Sequence, residues 1–382
     1  MKNRISCTLV ALALLATATT TTFATDWPDT LLTTPGSPEN IAKGQEIDAY
    51  QLGISAWTWG YPLVRMERVM RDYVEVPEPK PDSSYRAPLN QIGWARALAT
   101  PSAKDMPTAN NDTAYLSAVV SLNEPYVLSV PELSDRYYVV DVFNMWQELQ
   151  HYIGRRTTGT HAGRFALVPP GWKGTLPAGV KRLDVATNKV WLWGRMRVSP
   201  GEDMAKIHAL QDRFDLRPLS KLNDKNWHAP KADLKPLPAI ESDPYGFLTH
   251  LASVLKDNPV RPADLALFGQ LARIGLTEKG FDPSHLSEPQ RKGLERALTD
   301  APLVAVAGLA TSAQQREGWA YVQGLDSFGY NYPLRALVAG PYLGGQGEKE
   351  AVYPLRYTDS DNKTLDGSAK NYVIRFTSAP PN

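Results

Sequence analysis

Cysteine is all but absent. One occurs in 382 residues, at position 7, so a fold built from the chain beyond it has no disulfide and no thiolate metal ligand to rely on. An excess of charge of one sign is missing too: Lys and Arg number 41 against 40 Asp and Glu. A duplex-binding protein carries a cationic surplus, so no nucleic-acid partner is expected. After residue 24 no apolar run approaches the ~20 residues of a membrane-crossing helix, and no transmembrane segment is expected. No internal repeat of 20 to 50 residues appears.

The familiar catalytic signatures are also missing. The chain has no Gly-x-Ser-x-Gly elbow, Walker loop, Gly-x-Gly-x-x-Gly or His-Glu-x-x-His, and no cofactor is expected. Ser253-Val254-Leu255-Lys256 and Ser360-Asp361-Asn362 match two motifs of penicillin-recognising enzymes, but the third, Lys-Thr-Gly, does not follow. The six histidines, at 151, 161, 208, 228, 250 and 285, never pair at i, i+2 or i+4, so no metal site is expected. Asp359-Ser360-Asp361 and Asp366-Gly367 suggest a calcium loop, yet Lys363, Thr364 and Lys370 stand where a ligand, a glycine and the bidentate glutamate belong. A solvated turn accounts for them better.

What is present begins at Met1. Lys2 and Arg4 precede an apolar run from Leu9 to Ala16, and small residues close the segment at Thr22-Phe23-Ala24. This is the layout of a cleavable signal peptide, with the cut expected after Ala24 and the destination periplasmic or secreted. Cleavage would remove the cysteine and leave 39 basic against 40 acidic residues, because Lys2 and Arg4 go with it. The remaining 358 residues exceed what one hydrophobic core usually organises. Aromatics are plentiful, with 10 Trp and 17 Tyr, and such residues serve mostly as packing.

Periodicity predicts an α+β fold: an antiparallel sandwich-like or barrel-like β region with a helical N-terminal segment and a helical middle section. Ile47, Tyr50, Ile54 and Trp57 recur at helical spacing, and Gly60-Tyr61-Pro62 is expected to kink or split that helix. Short runs rich in Val, Tyr, Phe and Trp read as strands at 114–121, 126–130, 137–143, 163–168, 181–186 and 189–198. Helical patterns follow at 202–214, 244–256, 262–274 and roughly 288–324, and two final strands are expected at 351–357 and 370–377. The organisation read from this is a signal peptide (1–24), a helical segment and crossover loop (25–112), an antiparallel β domain (113–199), a helical section (200–325) and a β domain (326–382).

Two regions are dense in groups that bind ligands. Asn110, Asn111, Asp112 and Tyr115 enter one strand, with Trp146, His151, Tyr152, Arg155 and Arg156 beyond a neighbouring one. Gathered at strand ends, they would hold an anionic or polyhydroxyl ligand through arginine and amide hydrogen bonds. The plainer reading has Asn111 and Asp112 capping a turn and the arginines pairing with acids such as Glu148. Tyr332, Arg335 and Tyr353 form the second group, which serves equally as interface packing.

Several motifs together resemble a known bacterial family. Asn111-Asp112-Thr113-Ala114-Tyr115, Glu124 to Pro131, Asp135-Arg136-Tyr137-Tyr138, Gly154 to Gly159 and Pro169 to Pro177 are similar to the domain of unknown function 1254. Tyr330 to Ala336, Glu350 to Pro354 and Leu365 to Phe376 resemble its usual companion, the domain of unknown function 1214. The resemblance implies an exported two-domain protein with β-sandwich-like modules, and brings no reaction, cofactor or catalytic residue. It also implies a companion domain cut short after Phe376, and hence an oligomer or partner covering the shortened edge.

Three functions follow. The first is binding of a small polar or anionic ligand. The second is a hydrolase-like enzyme in which Asp112 or His151 acts as base and Arg156 stabilises developing charge. The third is a structural role at the cell envelope.

Overall fold

The computed structural model describes residues 30–79, 85–103, 109–237, 239–240 and 243–378. The proposed signal peptide lies outside these. Two units cluster separately, Met1–Ala42 and Lys43–Asn382. The first contributes α1 (Thr30–Thr33) and the opening turn of α2 (Pro38–Val74), where Ser37 Oγ accepts the Asn40 N–H. Everything below concerns the second unit.

Helix α2 continues through Pro62, so the split that Gly60-Tyr61-Pro62 could cause does not occur. Proline removes one helical hydrogen bond, but burial of Trp59, Leu63, Val64 and Met66 holds the segment. After it come β1 (Gly93–Trp94), β2 (Thr113–Ser121), β3 (Tyr126–Val130), β4 (Tyr138–Asn144), β5 (Leu149–Gly154), β6 (Gly163–Val168), β7 (Val180–Asp184), β8 (Lys189–Arg197), α3 (Met204–Gln211) and β9 (Asp215–Pro218). They form two sheets, a five-stranded one in the order β1-β2-β8-β4-β5 and a four-stranded one in the order β7-β6-β3-β9. All pairs are antiparallel except β6 with β7.

Alternation along each strand sends side chains to opposite faces. Leu116, Ala118 and Val120 of β2 meet Leu128 of β3 and Phe165 of β6 in the core between the sheets. On the opposite face of the five-stranded sheet, Tyr115, Val119, Phe143, Trp191 and Trp193 pack with the buried side of α2 in a second core. The sandwich reading of the sequence therefore holds, with a layer of helix added on one face. Strand β5 was not expected. It is an edge strand with half-buried residues at its centre, so its alternation is weak.

The chain continues with α4 (Gly246–Leu255), α5 (Leu265–Leu271), the ribbon β10 (Leu276–Thr277) and β11 (Gly280–Phe281), α6 (Glu288–Ser312), a second ribbon β12 (Gln314–Arg316) and β13 (Trp319–Tyr321), and α7 (Tyr332–Ala339). The expected helix over 288–324 thus ends at Ser312. The reason is Glu317-Gly318, whose φ values of 51° and 79° make the two-residue turn that joins β12 to β13. The strands expected at 351–357 and 370–377 are absent. The described residues there make only isolated bridges, Ala320 with Leu355 and Thr358 with Thr364, and Val373 and Phe376 are 79% and 68% exposed.

One buried group predicts a pH dependence. His250 of α4 is fully buried and neither ring nitrogen has a hydrogen-bond partner. Burial, reinforced by Arg68 and opposed by Glu67, holds its pKa below the usual value. As pH falls through ~6.5 the unfolded chain takes up a proton that the folded one resists, so stability declines, by at most about 1.4 kcal/mol per pH unit for one group. His250→Leu is expected to flatten that decline between pH 7.5 and 5, as read from urea midpoints; an unchanged slope would count against it.

Candidate functional site

The residues singled out from the sequence fall into three places. At the surface, Asn111 and Asp112 are exposed, Arg155 pairs with Asp135 at 3.0 Å, and His151 Nε2 lies 2.7 Å from the Asp184 carbonyl, tying β5 to β7. His151 stands opposite Val142, Leu192 and Ala118 in successive strands. That register puts Asp112 three strands and six residue levels from His151, roughly 14 Å across and 20 Å along. The structure does not bring Asp112 and His151 together.

A second group is a buried ionic cluster. The Asp264 side chain is fully buried and accepts hydrogen bonds from Trp59 Nε1 (2.8 Å), Tyr332 Oη (2.8 Å) and Arg261 Nε (2.6 Å) and Nη2 (2.8 Å). Arg261 also reaches Glu148. Arg335, with no exposure, lies over the rings of Trp146 (5.4 Å) and Tyr332 (5.2 Å) and donates to the Trp59 carbonyl at 3.1 Å. Burial and the neighbouring Arg261 bring its pKa down to about 10, so it stays charged at neutral pH. Arg261 is turned onto Asp264 and Glu148, and Arg335 Nη2 onto a carbonyl of α2, so this cluster braces α2, α5 and α7; among the described residues none accepts a hydrogen bond from Arg335 Nε or Nη1, and Nη1 lies 3.9 Å from Glu148. The plainer sequence reading of Tyr332 and Arg335 fits it.

The third place is a cavity of about 300 Å³. Its floor is the face of the five-stranded sheet opposite the sandwich core, where register sets Tyr115 beside Arg195 and Trp193 beside Asp141. Its cover is α7 and the loop 341–355, which passes Trp193 at Gly344. That residue has φ 80°, and a Cβ there would lie 3.3 Å from Trp193 Nε1, so glycine suits both the turn and the close approach. The walls are largely apolar, with Leu309, Leu325, Leu334 and Leu337 among them.

One end of the cavity is polar. Asp141 is 1% exposed; its Oδ2 accepts from Gln346 Nε2 at 2.7 Å, while Oδ1 has no partner. Burial pushes its pKa well above the usual carboxylate range, against the pull of Arg195 and the Gln346 hydrogen bond. Arg195 donates through Nε to Tyr137 Oη at 3.0 Å. Tyr137 donates at 2.6 Å to Glu350 Oε1, which Arg156 also holds at 2.8 Å. Tyr353 Oη accepts the Gln346 N–H at 3.1 Å, and Tyr115 Oη accepts the Asn110 N–H at 2.8 Å.

Of the sequence candidates, then, Tyr115 and Tyr353 line the cavity and Arg156 supports it from outside. Asp141, Arg195, Tyr137 and Gln346 were missed. A signal existed for two of them: Asp141 is the one acid inside an otherwise apolar strand, and Arg195 follows Trp191-Leu192-Trp193 on the same sheet face as both tryptophans. Among the described residues no group of three or more His, Cys, Asp or Glu is placed to hold a metal ion, and no helix is long and apolar enough to cross a membrane.

Comparison with known proteins adds fold but no activity. No curated protein matches the chain. The VPA0106 protein from Vibrio parahaemolyticus is 23% identical, with a TM-score of 0.60 over 84% of this chain and 74% of that one. A putative uncharacterized protein from Burkholderia cenocepacia is 12% identical, with a TM-score of 0.26 over 76% of this chain and 63% of that one. The stretch that builds both sheets and the floor of the cavity, residues 89–218, matches the family described as Protein of unknown function (DUF1254).

Proposed function

We propose that the chain binds a small, largely apolar molecule with one polar end, and that the cavity under α7 is its site. The observation that carries this reading is Asp141. A carboxyl oxygen 1% exposed and without a partner costs on the order of 1–3 kcal/mol, unless something that enters the cavity completes it. Pockets of this kind, apolar with a few convergent polar groups, are where small ligands bind. At about 30 Å³ for each water displaced, the volume accommodates a ligand of roughly ten to fifteen non-hydrogen atoms. The hydrolase reading gains nothing from the geometry, because Asp112 and His151 stand on distant parts of the sheet and Arg156 is already paired. Export remains part of the proposal, supported by the three-part layout of residues 1–24 and by the resemblance of residues 330–376 to the companion domain.

A thermal-shift screen against small amphiphiles tests the site. Ligands that stabilise the wild type are expected to leave Leu337→Trp, whose indole fills the cavity, unshifted, and to shift Asp112→Ala as they shift the wild type. Equal shifts in all three proteins would place the ligand elsewhere.

A further inference from the structure

The polar end of the cavity has a one-sided hydrogen-bonding character, and that character selects a class of ligand. We propose that the ligand is a monocarboxylate with an apolar tail, its carboxylate received by Arg195 and the hydroxyls of Tyr115 and Tyr353. This rests on the reading of the cavity as a ligand site.

Tyr115 and Tyr353 each use the phenol oxygen to accept a backbone N–H, from Asn110 and Gln346, so each still has its proton to give. Burial raises the pKa of Asp141, which lessens its repulsion of an anion, and no described residue donates to its Oδ1. Arg195 donates through Nε to Tyr137, and among the described residues none accepts a hydrogen bond from its two Nη groups. Among the described residues the buried side-chain acceptors left open there are the Gln346 oxygen and Asp141 Oδ1. Donors therefore outnumber acceptors, and a ligand rich in acceptors fits where an amine does not.

Charge points the same way. Glu350 is taken by Arg156 and by the Tyr137 hydroxyl, and Asp326 by the Tyr152 hydroxyl at 3.0 Å. Arg195, half-buried, donates to a phenol and has no carboxylate of a described residue within ion-pair distance, and a guanidinium so placed is bound best by a planar, bidentate anion. Beyond this end the walls are mainly apolar, at Leu309, Leu334, Leu337 and Leu355 with Tyr342 beside them, which favours an apolar remainder of the ligand. A dianion would put its second charge against that wall.

The test is calorimetric titration of the full chain with octanoate, octanol and octylamine, which share a tail and differ in head group. Octanoate is expected to bind at least tenfold tighter than octanol, and octylamine not at all. Arg195→Met is expected to weaken octanoate by roughly 10- to 100-fold, the range for hydrogen bonds to a charged group, while leaving octanol unchanged. Tyr353→Phe, which keeps the ring and removes one donor, should lower octanoate affinity by a smaller factor and serves if Arg195→Met does not fold. If octanol binds as tightly as octanoate, the carboxylate proposal fails and the cavity reading stands. If no member of the series binds, or if Leu337→Trp binds octanoate like the wild type, both fail.

Discussion

Replacing Asp264 by alanine is expected to cost the fold about 3–5 kcal/mol, the usual loss when one partner of a buried ion cluster is removed. Asp264 accepts four hydrogen bonds, from Trp59, Tyr332 and two nitrogens of Arg261, and the Arg335 guanidinium lies in the same cluster with no solvent contact. Without the carboxylate, two arginines share Glu148 alone. Burial opposes ionisation of Asp264, but its hydrogen bonds from Arg261, Trp59 and Tyr332 outweigh it and hold the pKa below the usual value. The stabilisation is therefore full above the ordinary carboxylate range and is lost as pH falls through the folded pKa. Urea unfolding at pH 7 should show the loss directly. A change of less than about 1 kcal/mol would mean the cluster contributes little, as exposed ion pairs do.

Asp141→Asn is expected to do the reverse, raising stability at neutral pH by on the order of 1–3 kcal/mol. Burial raises the pKa of Asp141 by penalising its charge; asparagine carries none and keeps an oxygen for Gln346. The sign follows from linkage. Below ~3.9 both folded and unfolded states carry the proton and wild type and variant should be equally stable; as pH rises, the unfolded wild type ionises first and is favoured. The gap between the two proteins should therefore open with pH and level off above the folded pKa. A gap that does not change with pH would show that the fold does not raise the pKa of Asp141. A residue that lowers stability where it lines a cavity is the trade expected of a binding group.

How much of this was legible in the sequence depended on distance along the chain. Strands β3 and β6 were read to their ends, because Tyr126–Val130 and Gly163–Val168 carry the signal within themselves. The helical spacing of Ile47, Tyr50, Ile54 and Trp57 lies within α2, which is not split at Pro62 because tertiary packing prevails over a local break. The Glu317-Gly318 turn was overlooked because the helical pattern before it continued past Ser312 on composition alone.

The site was less legible. Tyr115 and Tyr353 were chosen as members of separate motifs, yet they meet at one cavity because β2 pairs with β8 and the loop after α7 returns over both. The hydrogen bond between Asp141 and Gln346 spans 205 positions. Strand register, which nothing local reveals, puts Arg195 beside Tyr115 and Asp141 beside Trp193. His151 and Arg155, attractive as a cluster in the sequence, point to an inter-sheet tie and a surface ion pair. Floor and cover also differ in kind: the floor lies within the residues that match a family, and the cover, from α6 onward, lies outside them.

The central claim is that the cavity under α7 is a ligand site with its polar end at Asp141 and Arg195. A crystal structure of the full chain grown with octanoate tests it most directly. The account predicts density for one molecule, carboxylate against Arg195 and tail between α6 and α7 over Trp193. A cavity holding only ordered water, with octanoate absent or bound elsewhere on the protein, would contradict it.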